Sequence, residues 1–275
     1  MFKIYDLNMK ELPFPEGVKP LDIFVSSISK RRQTEEFEGR SGTLNYGYDY
    51  GERSVDLSLW LEAYDTIDYR LIRNELYAFF DTHDAFYIEE TRVPSRVLKV
   101  TIDESYIPER INQAHSSVEI SCRTMDSVFW ETKYTTLELH DSGYSATAEK
   151  YGLVDNIEDE KVKYRFTESN FTVYNAGNVT VEPESVLLNI NVNAVQSDND
   201  FTIRNKTTGQ EVVLKRESKG SHFRIQGMVI SLGSITNVFR DTNRRFISLV
   251  PGDNQFEILN GTFKEIRFEF KYLYK

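Results

Sequence analysis

A single cysteine, Cys122, occurs in the 275 residues, so no intramolecular disulfide can form and the chain is not a disulfide-stapled scaffold. Histidine is almost as scarce. His83, His115, His140 and His222 stand far apart, without HExxH or CxxC spacing, so no zinc site is written in the sequence. No apolar run reaches the length that spans a bilayer. The opening residues, through Gly17, lack a basic segment followed by an apolar one, so no secretory signal is visible; the expectation is a protein soluble in the cytoplasm where it is made. Glycine-rich phosphate cradles are missing too, both GxxxxGK[ST] and a GxGxxG after a strand. There is no G-x-S-x-G elbow, although sequence order leaves open a Ser-His-Asp triad assembled by folding. Positive charge is the remaining deficit. Lys and Arg number 33 against 43 Asp and Glu, a formal net charge of −10. Residues 1–133 carry 16 against 24, a net of −8, and residues 134–275 carry 17 against 19, a net of −2. Outside binding of nucleic acid needs a basic stripe. The one basic cluster, Lys30-Arg31-Arg32, is followed at once by Glu35, Glu36 and Glu38 and reads as a mixed-charge solvated strand, so no specific nucleic-acid recognition is expected.

What is present is aromatic and β-branched. Hydrophobic residues make up 40%, enough for real cores, and 18 Phe with 16 Tyr suit pleated, half-buried surfaces. The length favours two domains. Val55, Leu57, Leu59 and Leu61 alternate with Asp56, Ser58 and Trp60, the pattern of a half-buried strand. Residues 21–28, 31–37, 85–89, 96–103 and 115–124 also read as strands, with Val118, Ile120 and Cys122 on one face. Gly39-Arg40-Ser41-Gly42 marks a turn, and Tyr46 to Gly51 reads as a Tyr-rich loop. One helix is predicted after Asp65, a side chain able to cap it, running without Gly or Pro to Phe80, with Ile67, Leu71, Ile72, Leu76, Phe79 and Phe80 as its apolar face. Periodicity fades between residues 128 and 163, where Asp155 to Glu160 is an acidic, solvated stretch. Beyond it short strands follow one another, including 179–181 and 246–249, with Asn260-Gly261 as a tight hairpin turn before Ile266, Phe268, Phe270, Tyr272 and Tyr274. The fold class expected is mainly β: an N-terminal sandwich with one packed helix over residues 1–133, and an antiparallel sandwich over 134–275.

No constellation for catalysis emerges. A glycosidase needs two opposed carboxylates, one with a raised pKa. Glu35, Glu36 and Glu38 fit a charged strand face, and Glu182 and Glu184 flank Pro183 in a turn. No catalytic, cofactor-binding or metal residues are therefore assigned, no cofactor is expected, and the chain reads as a non-enzyme. A sugar-binding sandwich stacks an exposed aromatic on its ligand. Trp60, Trp130 and the His222–Arg224 strand face are the residues that could serve, although packing at domain or subunit interfaces explains both tryptophans as well.

The order of features carries a resemblance. Arg31-Arg32, Gly39-Arg40-Ser41-Gly42, the Tyr-rich segment, the strand through Val55–Leu61 and the amphipathic helix are followed by Tyr174-Asn175-Ala176-Gly177-Asn178 running to Glu182-Pro183. Leu249-Val250-Pro251-Gly252-Asp253-Asn254 and an aromatic terminal strand complete the series. In this series the sequence resembles the distal tail proteins of siphophages over nearly its whole length. The resemblance implies a first domain with an extended hairpin that forms a homo-hexameric ring around the DNA exit channel. It implies a second, galectin-like sandwich at the periphery. The partners implied are the tail tube protein, the tail-associated hub or lysin protein and receptor-binding proteins, with the virion tail tip as location and no membrane. A stand-alone carbohydrate-binding sandwich is the alternative.

Overall fold

The structure, a computed structural model, describes residues 1–39, 41–143, 157, 159–234 and 237–275. Arg40 of the first turn, and Asp155, Asn156 and Glu158 of the acidic stretch, lie outside the described residues. The chain divides into two compact units, Met1–Trp130 and Glu131–Lys275.

In the first unit the strands are β1 (Phe2–Tyr5), β2 (Val18–Val25), β3 (Lys30–Glu36), β4 (Thr43–Tyr50) and β5 (Ser54–Glu62). After helix α1 (Thr66–Asp81) come β6 (Phe86–Glu90), β7 (Arg96–Ile102), β8 (Glu109–Arg110) and β9 (His115–Thr124). The main sheet runs β1-β6-β7-β9-β5-β2, antiparallel throughout, with β8 on β9. The alternation expected in β5 is complete: Val55, Leu57, Leu59 and Leu61 are buried and face Val118, Ile120 and Cys122 of β9 across the sheet register. Helix α1 covers this apolar face, and its residues share one core with the strands.

Asp65 caps α1, accepting hydrogen bonds from the amides of Ile67 and Asp68 at 2.7 and 2.8 Å. The buried stripe is Tyr69, Ile72, Leu76 and Phe80. Ile67 and Leu71, expected on that face, are 71% and 56% exposed instead. At about 100° per residue they lie roughly 140° and 100° around the helix from Ile72, so Leu76 and Phe80 fix a rotation that turns both outward.

The second unit begins within β10 (Trp130–Thr132), then α2 (Thr136–Ser142), a short helix that the fading periodicity did not announce. Its strands continue as β11 (Arg165–Phe166), β12 (Asn170–Asn175), β13 (Leu188–Val195), β14 (Phe201–Asn205) and β15 (Gln210–Leu214). They end with β16 (Ser221–Gln226), β17 (Val229–Leu232), β18 (Gly252–Leu259), β19 (Glu265–Phe270) and β20 (Leu273–Tyr274). Two antiparallel sheets form, β11-β19-β13-β16-β17 and β12-β18-β14-β15. They pack face to face through aromatic rings: Phe268 of β19 lies 4.9 Å from Phe256 of β18 and 5.8 Å from Phe171 of β12. This is the antiparallel sandwich expected.

Three local expectations are corrected. Residues 179–181 and 246–249 are not strands; only a single bridge, Val181 to Leu249, joins them. Asn260-Gly261 does not turn a hairpin, because β18 and β19 belong to different sheets. The chain crosses between the sheets there, and Gly261 allows it: a Cβ at this position would stand 2.7 Å from the Gln196 carbonyl oxygen. Third, Tyr46 to Tyr50 is strand rather than loop, the greater part of β4, paired along its length with β3.

Candidate interaction surface

Each histidine ring is tied locally: His83 Nδ1 to the Phe79 carbonyl at 2.9 Å, His115 to Asn112, His140 to the Val162 carbonyl and His222 to Asn193. No cluster of three or more metal-ligating side chains occurs among the described residues. Cys122 is buried, and burial pushes its thiol up to about 12, so it is a packing residue rather than a nucleophile. Glu62 and Asp141 are both held below the ordinary carboxylate range, first of all by hydrogen bonds from Lys19 and Arg165, opposite to what a general acid needs. Glu182 and Glu184 line a cleft of about 410 Å³ with Arg244 and Arg245.

Both tryptophans are half-buried. Trp60 lies 5.4 Å from the His115 ring, and Trp130 packs against the core of the first unit. His222 and Arg224 do share an exposed strand face, as expected.

The unpartnered element is the β3–β4 ribbon. Among the described residues these strands pair only with each other, and every residue of β3 is exposed. A two-stranded ribbon without a covering layer is marginal alone, so it is the kind of element completed by a partner. Its registry pairs Lys30 with Tyr50, Arg31 with Asp49 and Arg32 with Tyr48, with an irregularity between Gln33 and Thr34. Gly47, at φ 121, relieves that irregularity, and its amide is held by the Asn45 side chain at 3.0 Å. Tyr46, 61% exposed, donates to Glu35 at 3.0 Å, and that bond raises its pKa. Tyr48 carries the Lys30 ammonium 4.4 Å above its ring. Tyr50 anchors the base against Phe129 at 5.4 Å. The ribbon thus presents tyrosines and charges on a surface with no internal core, a composition that suits protein contact.

Residues 15–122, which contain this ribbon, the helix and most of the sheet, match the family model described as the phage tail protein RIFT-related domain. The first unit is thus similar to a phage tail RIFT-related domain over those residues. Across both units the fold is similar to SPP1 Dit (gp 19.1), described as a paradigm of the hub adsorption apparatus in phages infecting Gram-positive bacteria. The TM-score is 0.69 at 11% identity, covering 99% of this chain and 100% of that one. Two structures of the phage p2 baseplate in its activated conformation, with Sr and with Ca, align over 98% of this chain and 97% of theirs at 10% identity, with TM-scores of 0.44 and 0.45. No curated protein sequence matches. The likeness to siphophage distal tail proteins read from the motifs is borne out by the RIFT-related domain and the Dit fold.

The motifs that carried it have structural reasons in this chain. Asn175 is buried and donates to the Val179 and Leu249 carbonyls at 3.0 and 3.1 Å, while its oxygen accepts the Gly177 amide. A Cβ on Gly177 would come within 2.5 Å of the Leu273 carbonyl oxygen, so only glycine fits. Asn254, also buried, accepts the Val250 amide at 3.0 Å and donates to the Val250 and Gly252 carbonyls, bracing the Pro251-Gly252 turn. These asparagines hold turns; they are not ligand-binding groups.

Proposed function

We propose that the protein is a structural component of a bacteriophage tail tip or baseplate, forming a hexameric ring that joins the tail tube to the hub and host-adsorption apparatus and surrounds the DNA exit channel. The observation that carries this reading is the match to a phage tail RIFT-related domain over residues 15–122, a stretch bearing an aromatic ribbon with no further partner strand among the described residues. Residues 1–133 form the ring and residues 134–275 a peripheral galectin-like sandwich. The acidic balance of residues 1–133 suits a conduit, since negative walls do not retain a polyanion. The partners are further copies of the chain, the tail tube protein, the hub or lysin protein and receptor-binding proteins; the location is the virion. The chain acts as a structural part rather than an enzyme, a reading supported by its match to a phage tail domain and its likeness to a hub adsorption protein.

Negative-stain imaging of the purified chain tests this. Six-fold rings are expected. Particles that stay monomeric at every concentration, together with glycan binding by the second unit alone, would overturn the ring and favour a carbohydrate-binding protein.

A further inference from the structure

A cleft of about 680 Å³ opens at the C-terminal end of α1, where the helix meets the end of β7 and the residues after it. That volume is within the roughly 300–1,000 Å³ that ligand pockets occupy. Its floor is aromatic: Tyr106 stands 5.5 Å from Tyr77 and 6.0 Å from Phe80, both edge to face, and Ile102 also lines it. Its rim is acidic, with Asp81 and Asp84 from the helix end and Asp103 and Glu104 after β7, all four exposed. Two cations stand close by and are engaged. Arg123 reaches Asp103 at 3.3 Å, and Arg73 lies 5.9 Å from the Tyr77 ring. Asp81, Asp84 and Glu104 make no ion pair among the described residues. The imidazole of the lining, His83, is held at Nδ1 by the Phe79 carbonyl. The helix itself deepens the deficit of positive charge. The last turn of α1 contains no basic residue and ends on Asp81, although the negative end of a helix dipole favours a cation there.

We infer that this cleft seats a lysine- or arginine-bearing segment of another protein, with the aliphatic stem against Tyr77, Phe80 and Tyr106 and the charge among Asp81, Asp84 and Glu104. A bare metal ion is a poorer occupant, because no three acidic, histidine or cysteine side chains among the described residues converge to hold one. Carboxylates spread around an aromatic floor suit a long cation that carries its own apolar stem. Such a cation also gains a cation–π contact from the tyrosine rings. The Tyr77 and Tyr106 phenols make no hydrogen bond among the described residues. Burial first, then Tyr77, Cys122 and Asp81, pushes the Tyr106 phenol up to about 12, so at neutral pH its O–H remains a donor. The carbonyls of a peptide backbone accept from such groups, whereas a fully charged polyamine has no acceptor to offer. The seat uses α1 and β7, not the ribbon, and holds whether or not copies close into a ring.

The test is fluorescence anisotropy of a short labelled peptide of alternating arginine and glycine, titrated with the full-length chain at neutral pH and physiological salt. One variant carries Asp81→Asn, Asp84→Asn and Glu104→Gln. A control carries Glu182→Gln, Glu184→Gln and Asp198→Asn in the second unit. All six positions are exposed and each variant loses three negative charges, so both should keep the parent melting temperature and they share one net charge. Saturable binding to the parent is expected, weakened about tenfold or more in the cleft variant and held within about twofold in the control. Tyr77→Leu, which alters no charge, should weaken binding about threefold or more. Equal losses in the two triple variants, or full binding by Tyr77→Leu, mean diffuse attraction to an acidic protein and overturn the inference. Displacement of the peptide by calcium but not by sodium at matched ionic strength makes the cleft a metal site and overturns it too. A parent that leaves the peptide free also overturns it; if the cleft variant then changes mass by light scattering, the seat belongs to a second copy of this chain.

Discussion

At the scale of single residues, the second sandwich depends on a few rings that belong to both sheets. Phe268 is fully buried and touches Phe166, Phe171 and Phe256. Truncating such a residue removes its transfer free energy and leaves a cavity, a loss of about 3–5 kcal/mol. Phe268→Ala should therefore lower or abolish the thermal transition of the second unit; an unchanged melt would show that this face is not core. Cys122 gives a prediction in pH. Its thiol, raised to about 12 by burial and by nearby Asp56 and Asp103, stays protonated through neutral and mildly alkaline solution. Because the folded value lies above the unfolded one, the stability linked to it is intact below the ordinary thiol pKa and declines only as pH rises towards the folded value. A thiol-specific reagent at pH 8 should label the native protein slowly and the denatured protein at once. Rapid native labelling would mean that β9 is open.

Among the elements, turns and helix faces explain what the motifs mean. Asn254 satisfies the Val250 amide and two carbonyls that are otherwise enclosed, and it also accepts from Asn205 at 3.2 Å. Asn254→Ala should cost about 2–3 kcal/mol by leaving those groups unpaired, measured as a shift in the denaturant midpoint with little change in slope. An effect below a few tenths would assign the motif to something other than bracing. Helix α1 makes the opposite point. Leu71 is exposed and Leu76 is wholly buried, although both read as one apolar stripe in the sequence. Leu71→Lys should leave stability within about 0.5 kcal/mol of the parent, whereas Leu76→Ala should lose about 2–5 kcal/mol. Comparable losses at both positions would require a rotated helix.

For the molecule as a whole, each unit has its own core: the first cluster draws only on residues of Met1–Trp130, and the aromatic contacts around Phe268 lie within Glu131–Lys275. Expressed separately, residues 1–133 should self-associate and residues 134–275 should remain monomeric, read as mass against concentration by light scattering. A monomeric first half beside an oligomeric, glycan-binding second half would reverse the assignment of roles. Assembly confined to the first half agrees with the location of the RIFT-related domain and its unpaired ribbon.

Strand existence, the long helix and the lack of an intramolecular disulfide were legible in the sequence because each is a local matter. Alternation at period two in Val55–Leu61 needs only the pleat, an Asp65 cap needs only the next three amides, and one cysteine cannot pair with itself. The ribbon was half legible. Its charges and tyrosines were visible, but glycines on both sides of Tyr46 to Tyr50 looked like loop until the pairing of β4 with β3 made them strand. The face of α1 was undecided by periodicity, since a stripe wide enough to include Ile67 and Leu71 can rotate, and only the sheet beneath selects Leu76 and Phe80. Asn260-Gly261 carries the local chemistry of a hairpin, yet β18 and β19 lie in opposite sheets, and a turn's residues cannot specify which sheet the next strand joins. Tertiary structure decided these points because strand pairing is non-local: the free energy that selects a partner comes from side chains far away in sequence, and no window along the chain contains it.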